Sequence, residues 1–168
     1  MGLGPHRPRR ASNGRGDDRA RIIAPMGLLN ERDQAAVRKE FEKLSGPVKL
    51  VVFSQSLEAA ELCRQNEELV REVAELAPDT ITVEVLNLAI DRERAEAYGI
   101  ERVPAIVVEG ARDYGIRFLG IPAGYEFSNL IDSIIAASSG TAALSAETQR
   151  ALAGLTEAVD IKVFSTPT

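Results

Sequence analysis

The chain has 168 residues, 45% hydrophobic and 27% charged, with a formal net charge of −5 at pH 7. That length suits one domain and is short for two with a linker. One cysteine excludes an internal disulfide, a Cys-rich metal cluster and a disulfide-stapled scaffold. The lone His6 removes most metal and His-based catalytic designs. No apolar run approaches the ~20 residues of a membrane span. The acidic balance argues against a dedicated nucleic-acid binder. Composition therefore predicts a soluble cytoplasmic domain with little catalytic equipment of its own, no metal, no cofactor, and neither nucleic acid nor membrane as partner.

The charge is uneven. Residues 1–25 hold six Arg and two Asp, net +4, leaving 14 Lys and Arg against 23 Asp and Glu in the rest, net −9. This Gly-, Pro- and Arg-rich stretch has no periodicity and reads as a disordered basic extension. It lacks the apolar core of a secretory signal. A start codon placed too far upstream of Met26 is the alternative reading.

From Met26 the pattern becomes regular. Asn30 is a good N-cap, and Ala36, Val37, Phe41 and Leu44 follow at helical spacing until Ser45-Gly46-Pro47. Val48 to Phe53 is a buried-strand run. Ser54-Gln55-Ser56 is a turn able to cap a helix over Glu58 to Leu76, whose stripe is Ala59, Leu62, Cys63, Leu69, Val70, Val73 and Leu76. Thr80 to Val85 alternates with period two, as a half-buried strand does. Asp91 caps a short helix through Tyr98, closed by Gly99. Val103 to Val108, a turn at Glu109-Gly110, and Tyr114 to Leu119 form a β-hairpin. A last helix of this unit carries Phe127, Leu130, Ile131, Ile134 and Ile135. A βαβ half followed by a ββα half makes 26–140 one compact α/β domain, a mixed sheet flanked by helices.

Past the linker Ser139-Gly140-Thr141, Ser145 caps a helix with Leu152 and Leu155, and Val159 to Phe164 reads as a strand. This tail repeats the start: an N-capped helix leads to VKLVVFSQS in one copy and to VDIKVFSTPT in the other. Cap to strand-end Phe is 23 residues in the first and 19 in the second, a difference of about one helical turn. Chance similarity of short apolar strands is the plain alternative.

Met26 to Leu29, PVKLVVFSQS, YGIERVPAIVVEG, DYGIRFLGIPAGYEF and DIKVFSTPT together resemble the thioredoxin fold. The resemblance is closer to the two-unit, glutaredoxin-like protein disulfide oxidoreductases of thermophiles. It implies a thioredoxin-like fold, two units in tandem, and a cis-proline at Val103-Pro104 that turns Val103's backbone toward the active-site turn. It also implies protein or peptide disulfide substrates and a thioredoxin-reductase-like electron donor. Segment 141–168 would then be the linker, helix and first strand of a truncated second unit.

One departure matters. The family commonly carries Cys-x-x-Cys between the first strand and the next helix. Aligned from the helix side, Ala60-Glu61-Leu62-Cys63 stands there, leaving Cys63 in the resolving position and no nucleophile. Aligned from the strand side, one residue earlier, both cysteines are missing. Disulfide exchange needs an attacking thiolate and a second thiol to release the mixed disulfide. The attacking Cys belongs at a helix N-terminus, where unpaired N–H groups favour the thiolate. Cys63 falls inside the helix on its apolar stripe, which reads as a small core residue, with a resolving or glutathionylated thiol as the alternative. Val103 and Pro104 are the candidate substrate-binding residues, able to pair with an extended peptide; a proline merely fixing the start of an edge strand is the plain alternative. Asp91, Glu93 and Glu96 read as a solvated helix face, and the glycines of 110–124 form no phosphate loop.

In the family, the position after Thr168 would hold the second unit's nucleophile. The sequence reading is thus a truncated reading frame, one form of it a selenocysteine codon read as stop. Three functions follow: a disulfide oxidoreductase inactive as this chain alone, a non-catalytic peptide- or partner-binding module, and a monothiol redox protein using Cys63. The apolar segment Val159 to Phe164 is expected to fray, dock loosely, or form an oligomer through its edge.

Overall fold

The computed structural model describes residues 28–57 and 59–164. The basic extension 1–25, Met26-Gly27, the helix start expected at Glu58, and Ser165 to Thr168 lie outside the described residues.

Among the described residues, five helices and four strands follow one another in chain order. They are α1 (Glu31–Phe41), β1 (Val48–Ser54), α2 (Ala60–Glu75), β2 (Ile81–Asn87), α3 (Arg92–Tyr98), β3 (Ala105–Glu109), β4 (Asp113–Leu119), α4 (Tyr125–Ser139) and α5 (Ala146–Ala153). The sheet order is β2-β1-β3-β4. β1 runs parallel to β2 and antiparallel to β3, which pairs antiparallel with β4. The parallel pair is joined through α2, as a crossover requires. The expected mixed sheet flanked by helices is present.

β1 explains both layers. Its residues alternate sides. Val48, Leu50 and Val52 join Val37, Phe41, Val70, Val73, Leu130 and Ile134 in the larger core under α1, α2 and α4. Val51 and Phe53 face the other way and meet Leu86, Ala95, Ile100 and Val107 under α3. A strand buried on both faces reads as a continuous apolar run, which is why its alternation is invisible in the sequence.

Helix ends follow local chemistry with two exceptions. Asn30 caps α1 by accepting from the Asp33 N–H at 2.9 Å, Gly99 closes α3 at φ 67°, and Ser145 caps α5 by accepting from the Thr148 N–H at 3.1 Å. Asp91 occupies the N-cap position of α3, but its carboxylate accepts from the Asn87 N–H at 2.7 Å and caps nothing. The serines of 54–56 do not cap α2 either; Ala59 is its N-cap, with no side-chain bond.

Past Gly140 the organisation changes. α5 forms but buries no residue. The strand expected at Val159 to Phe164 is absent: these residues have no regular structure, and Phe164 is 91% exposed. A strand exists only when a neighbour takes its N–H and C=O groups. Among the described residues nothing pairs with this one.

Candidate functional site

The C-terminal end of β1 pairs with the start of β3, Phe53 opposite Ala105. The turn after β1 and the residues before β3 therefore share one end of the sheet. That end carries Val103 and Pro104 on the approach to β3 and leads into α2, which holds Cys63 in its first turns.

α2 begins at Ala60, so the helix-side reading puts Ala60 at the first helical position and Cys63 one turn in. Ala60 is exposed; Cys63 is 1% exposed, unpaired with any other cysteine, and its N–H already donates to the Ala59 carbonyl at 2.8 Å. The position where a helix end favours a thiolate holds a methyl group. The only thiol sits inside the fold. Leu57, in the turn, is 97% exposed, and Leu62 is 50% exposed although it was expected on the buried stripe.

Val103-Pro104 is a cis peptide bond. Pro104 is buried and its carbonyl accepts from the Gly120 N–H at 2.8 Å, which ties the β3 approach to the end of β4. Val103 is half-buried, and among the described residues its N–H and C=O have no hydrogen-bond partner. Backbone groups left unpaired are the groups an extended chain can use.

Two features of this region escaped the sequence reading. Ala59 has φ 53° and ψ 28°, the left-handed region, which costs a non-glycine residue about 1–2 kcal/mol. Nothing in an alanine announces that. Asn66, one turn beyond Cys63, is fully buried, and among the described residues neither its amide nitrogen nor its oxygen has a partner. The spacing was the available signal: Asn66 lies three residues from both Cys63 and Leu69, on the same inward stripe. Its polar type hid it.

The carboxylates near α3 are a surface network and bring no catalytic pair together. Arg94 donates to both oxygens of Glu84 at 3.0 and 2.9 Å, and Lys49 approaches Glu84 at 2.5 Å. The two cations hold the Glu84 carboxyl down at about 2, Arg94 contributing most. Among the described residues no group of three His, Cys, Asp or Glu could hold a metal ion, and no helix is long and apolar enough to cross a membrane.

No protein-family model matches the chain. A probable thioredoxin of Methanothermobacter marburgensis is 34% identical over 88 residues, which cover 52% of this chain and 96% of the relative. The chain belongs to the thioredoxin family. Two solved structures are similar to it over a longer stretch. The alkylhydroperoxide reductase AhpF of Enterococcus faecalis superposes with a TM-score of 0.68 at 27% identity, over 76% of this chain and 61% of that one. A protein disulfide oxidoreductase of Aeropyrum pernix gives a TM-score of 0.65 at 25% identity, over 79% and 58%. The chain thus spans about three fifths of the length of both. Within this thioredoxin-family fold, the single cysteine of the whole sequence is incompatible with a Cys-x-x-Cys motif.

Proposed function

We propose that this chain is a substrate-docking unit of a thioredoxin-family disulfide oxidoreductase and does not itself turn over disulfides. One observation carries the reading: Ala60 stands at the first position of α2, and the only thiol, Cys63, is buried one turn below it. Exchange requires an exposed attacking thiolate and a second thiol; this chain offers neither arrangement. What it retains is a place for an extended peptide. The unpaired backbone groups of Val103 could bond a substrate strand, while exposed Leu57 and Leu62 give its side chains apolar contact.

In this reading the substrates are proteins or peptides bearing disulfides, in a cytoplasmic setting. Thiol chemistry and a thioredoxin-reductase-like donor belong to a longer protein of which this chain is one unit. The repeat in the sequence, VKLVVFSQS near the start and VDIKVFSTPT near the end, and the three-fifths span of the solved relatives support that placement.

An insulin-reduction assay with dithiothreitol tests the reading, run on the chain and on Cys63→Ala. Neither should exceed the uncatalysed rate, while an unfolded, extended peptide should shift the backbone amide signals of Val103 and of residues 59–63. Turnover that depends on Cys63 would overturn the proposal in favour of a monothiol mechanism.

A further inference from the structure

A sizeable groove lies away from the candidate site. It measures about 760 Å³ and runs between α1, α2 and α4. Its floor is apolar: Leu29, Val37, Leu69, Phe127 and Ile131. Its rim is acidic, with Asp33, Glu40 and Asp132, and no Lys or Arg lines it. Such a lining fits a segment that combines apolar side chains with cations.

Such a segment stands in the sequence just before Leu28, where the chain meets the groove. Leu28 lines the wall, and the N–H groups of Leu28 and Leu29 donate to the Glu72 carboxylate of α2 at 2.7 and 2.9 Å. The chain therefore reaches the body at this groove and is fixed there. The eight residues Arg19-Ala20-Arg21-Ile22-Ile23-Ala24-Pro25-Met26 supply two cations and three large apolar side chains. Extended, eight residues reach up to about 27 Å, well beyond the ~8–10 Å that separates packed helices. The charges also match, since residues 1–25 are net +4 against −9 for the remainder.

We propose that this groove is the docking site for residues 19–26 of the same chain, with Ile22 and Ile23 on the apolar floor and Arg19 and Arg21 against the acidic rim. Burial of the two isoleucines supplies affinity, and the carboxylates set direction and salt sensitivity. The groove is also lined by Ile121 to Gly124, the loop that follows the Gly120 contact to Pro104. A docked arm would lie beside the candidate peptide site without depending on what that site does.

Limited trypsin digestion of the full chain tests this, with cleavage after Arg10 and Arg15 as the internal standard. Docking predicts cleavage after Arg19 and Arg21 about tenfold slower than after Arg15, since cutting follows the population of the open form. Raising the salt should reduce the difference. Two variants should abolish it: Ile22→Asp with Ile23→Asp, and Asp132→Lys, whose side chain is exposed and outside the core. Equal rates in the unmodified chain would overturn the proposal, as would protection that neither variant changes. Protection that grows with protein concentration would assign the groove to a second copy and overturn it too.

Discussion

Leu50 and Leu152 are the same residue type in two different kinds of surroundings. Leu50 is fully buried in β1, between the helices of the larger core, whereas Leu152 on α5 is 48% exposed and touches no core cluster. Leu155, Val159, Ile161, Val163 and Phe164 share its situation. Residues 28–140 form a sheet covered on both faces. Residues 141–164 have good local signals and nothing to bury them against. A cap and an apolar stripe make a helix, but only a packed neighbour makes that helix contribute to stability.

The sharpest test of that difference is a pair of truncations. Leu50→Ala should cost about 2–5 kcal/mol, the range for a large-to-small change in a closed core. Leu152→Ala should stay within about 0.5 kcal/mol. Urea unfolding at fixed protein concentration measures both. A large loss at Leu152 would mean that α5 packs in solution on something the isolated chain does not display.

The same contrast decides what could be read from the sequence. Asn30, Gly99 and Ser145 were legible as helix ends because a cap is a property of a few neighbouring residues. The hairpin was legible for the same reason, whereas the cis bond at Val103-Pro104 was expected from the resemblance. Val159 to Phe164 carries the alternation of a strand, yet pairing is not a local property, so the pattern was present without the strand. At the candidate site, the loss of Cys-x-x-Cys was plain from composition, and the burial of Cys63 followed from its place on the stripe. The left-handed Ala59, the buried Asn66 and the Glu72 clamp on Leu28 and Leu29 were not legible, because each depends on what lies across the fold.

Inside the covered body, the next largest effect is expected where backbones touch. Gly110 sits in the hairpin turn against the end of α4. A Cβ there would lie 1.9 Å from the Ala137 carbonyl oxygen, so Gly110→Ala must push the helix or the turn aside. The expected loss is about 1–3 kcal/mol, as for other overpacked positions. Gly154, at the end of α5, is the matched control: its nearest atom to a Cβ is the Ala151 carbonyl oxygen at 3.4 Å. Gly154→Ala should leave the thermal midpoint unchanged. If the two glycines respond alike, close approach is not what sets the body apart.

Asn66 offers a change in the opposite direction. Its buried amide has no partner for either polar atom. Replacing an unsatisfied polar group by an apolar one of similar size removes a desolvation cost, so Asn66→Leu should stabilise by about 1 kcal/mol. For a domain of this size that is a rise of about 4–8 °C in the midpoint. A fall in the midpoint would mean that the amide is satisfied in solution, by a bound water for instance. The equivalent exchange on α5, Gln149→Leu, should do little, because Gln149 is exposed and its amide donates to the Leu144 carbonyl at 3.0 Å.

The smallest expected effect is electrostatic, and its pH dependence identifies it. In the body, Glu84 is held by Arg94 and Lys49, which lower its carboxyl to about 2. An unfolded glutamate titrates near ~4.3. A carboxyl with a depressed folded value contributes stability above the unfolded value and loses it as pH falls through the folded one. Glu84→Gln should therefore be the less stable protein at pH 7, by at most about 1 kcal/mol for a partly exposed network. The gap should close as the pH is lowered from about 5 toward 2. In the tail, Lys162 and Asp160 lie 3.2 Å apart with both side chains more than 70% exposed. Asp160→Asn should be indistinguishable from the unmodified chain across the same range, since such pairs contribute nothing measurable. Thermal midpoints taken in parallel would decide it: a Glu84 gap that persists unchanged at low pH would show that the side chain acts through packing, and the charge pairing would no longer separate the two regions.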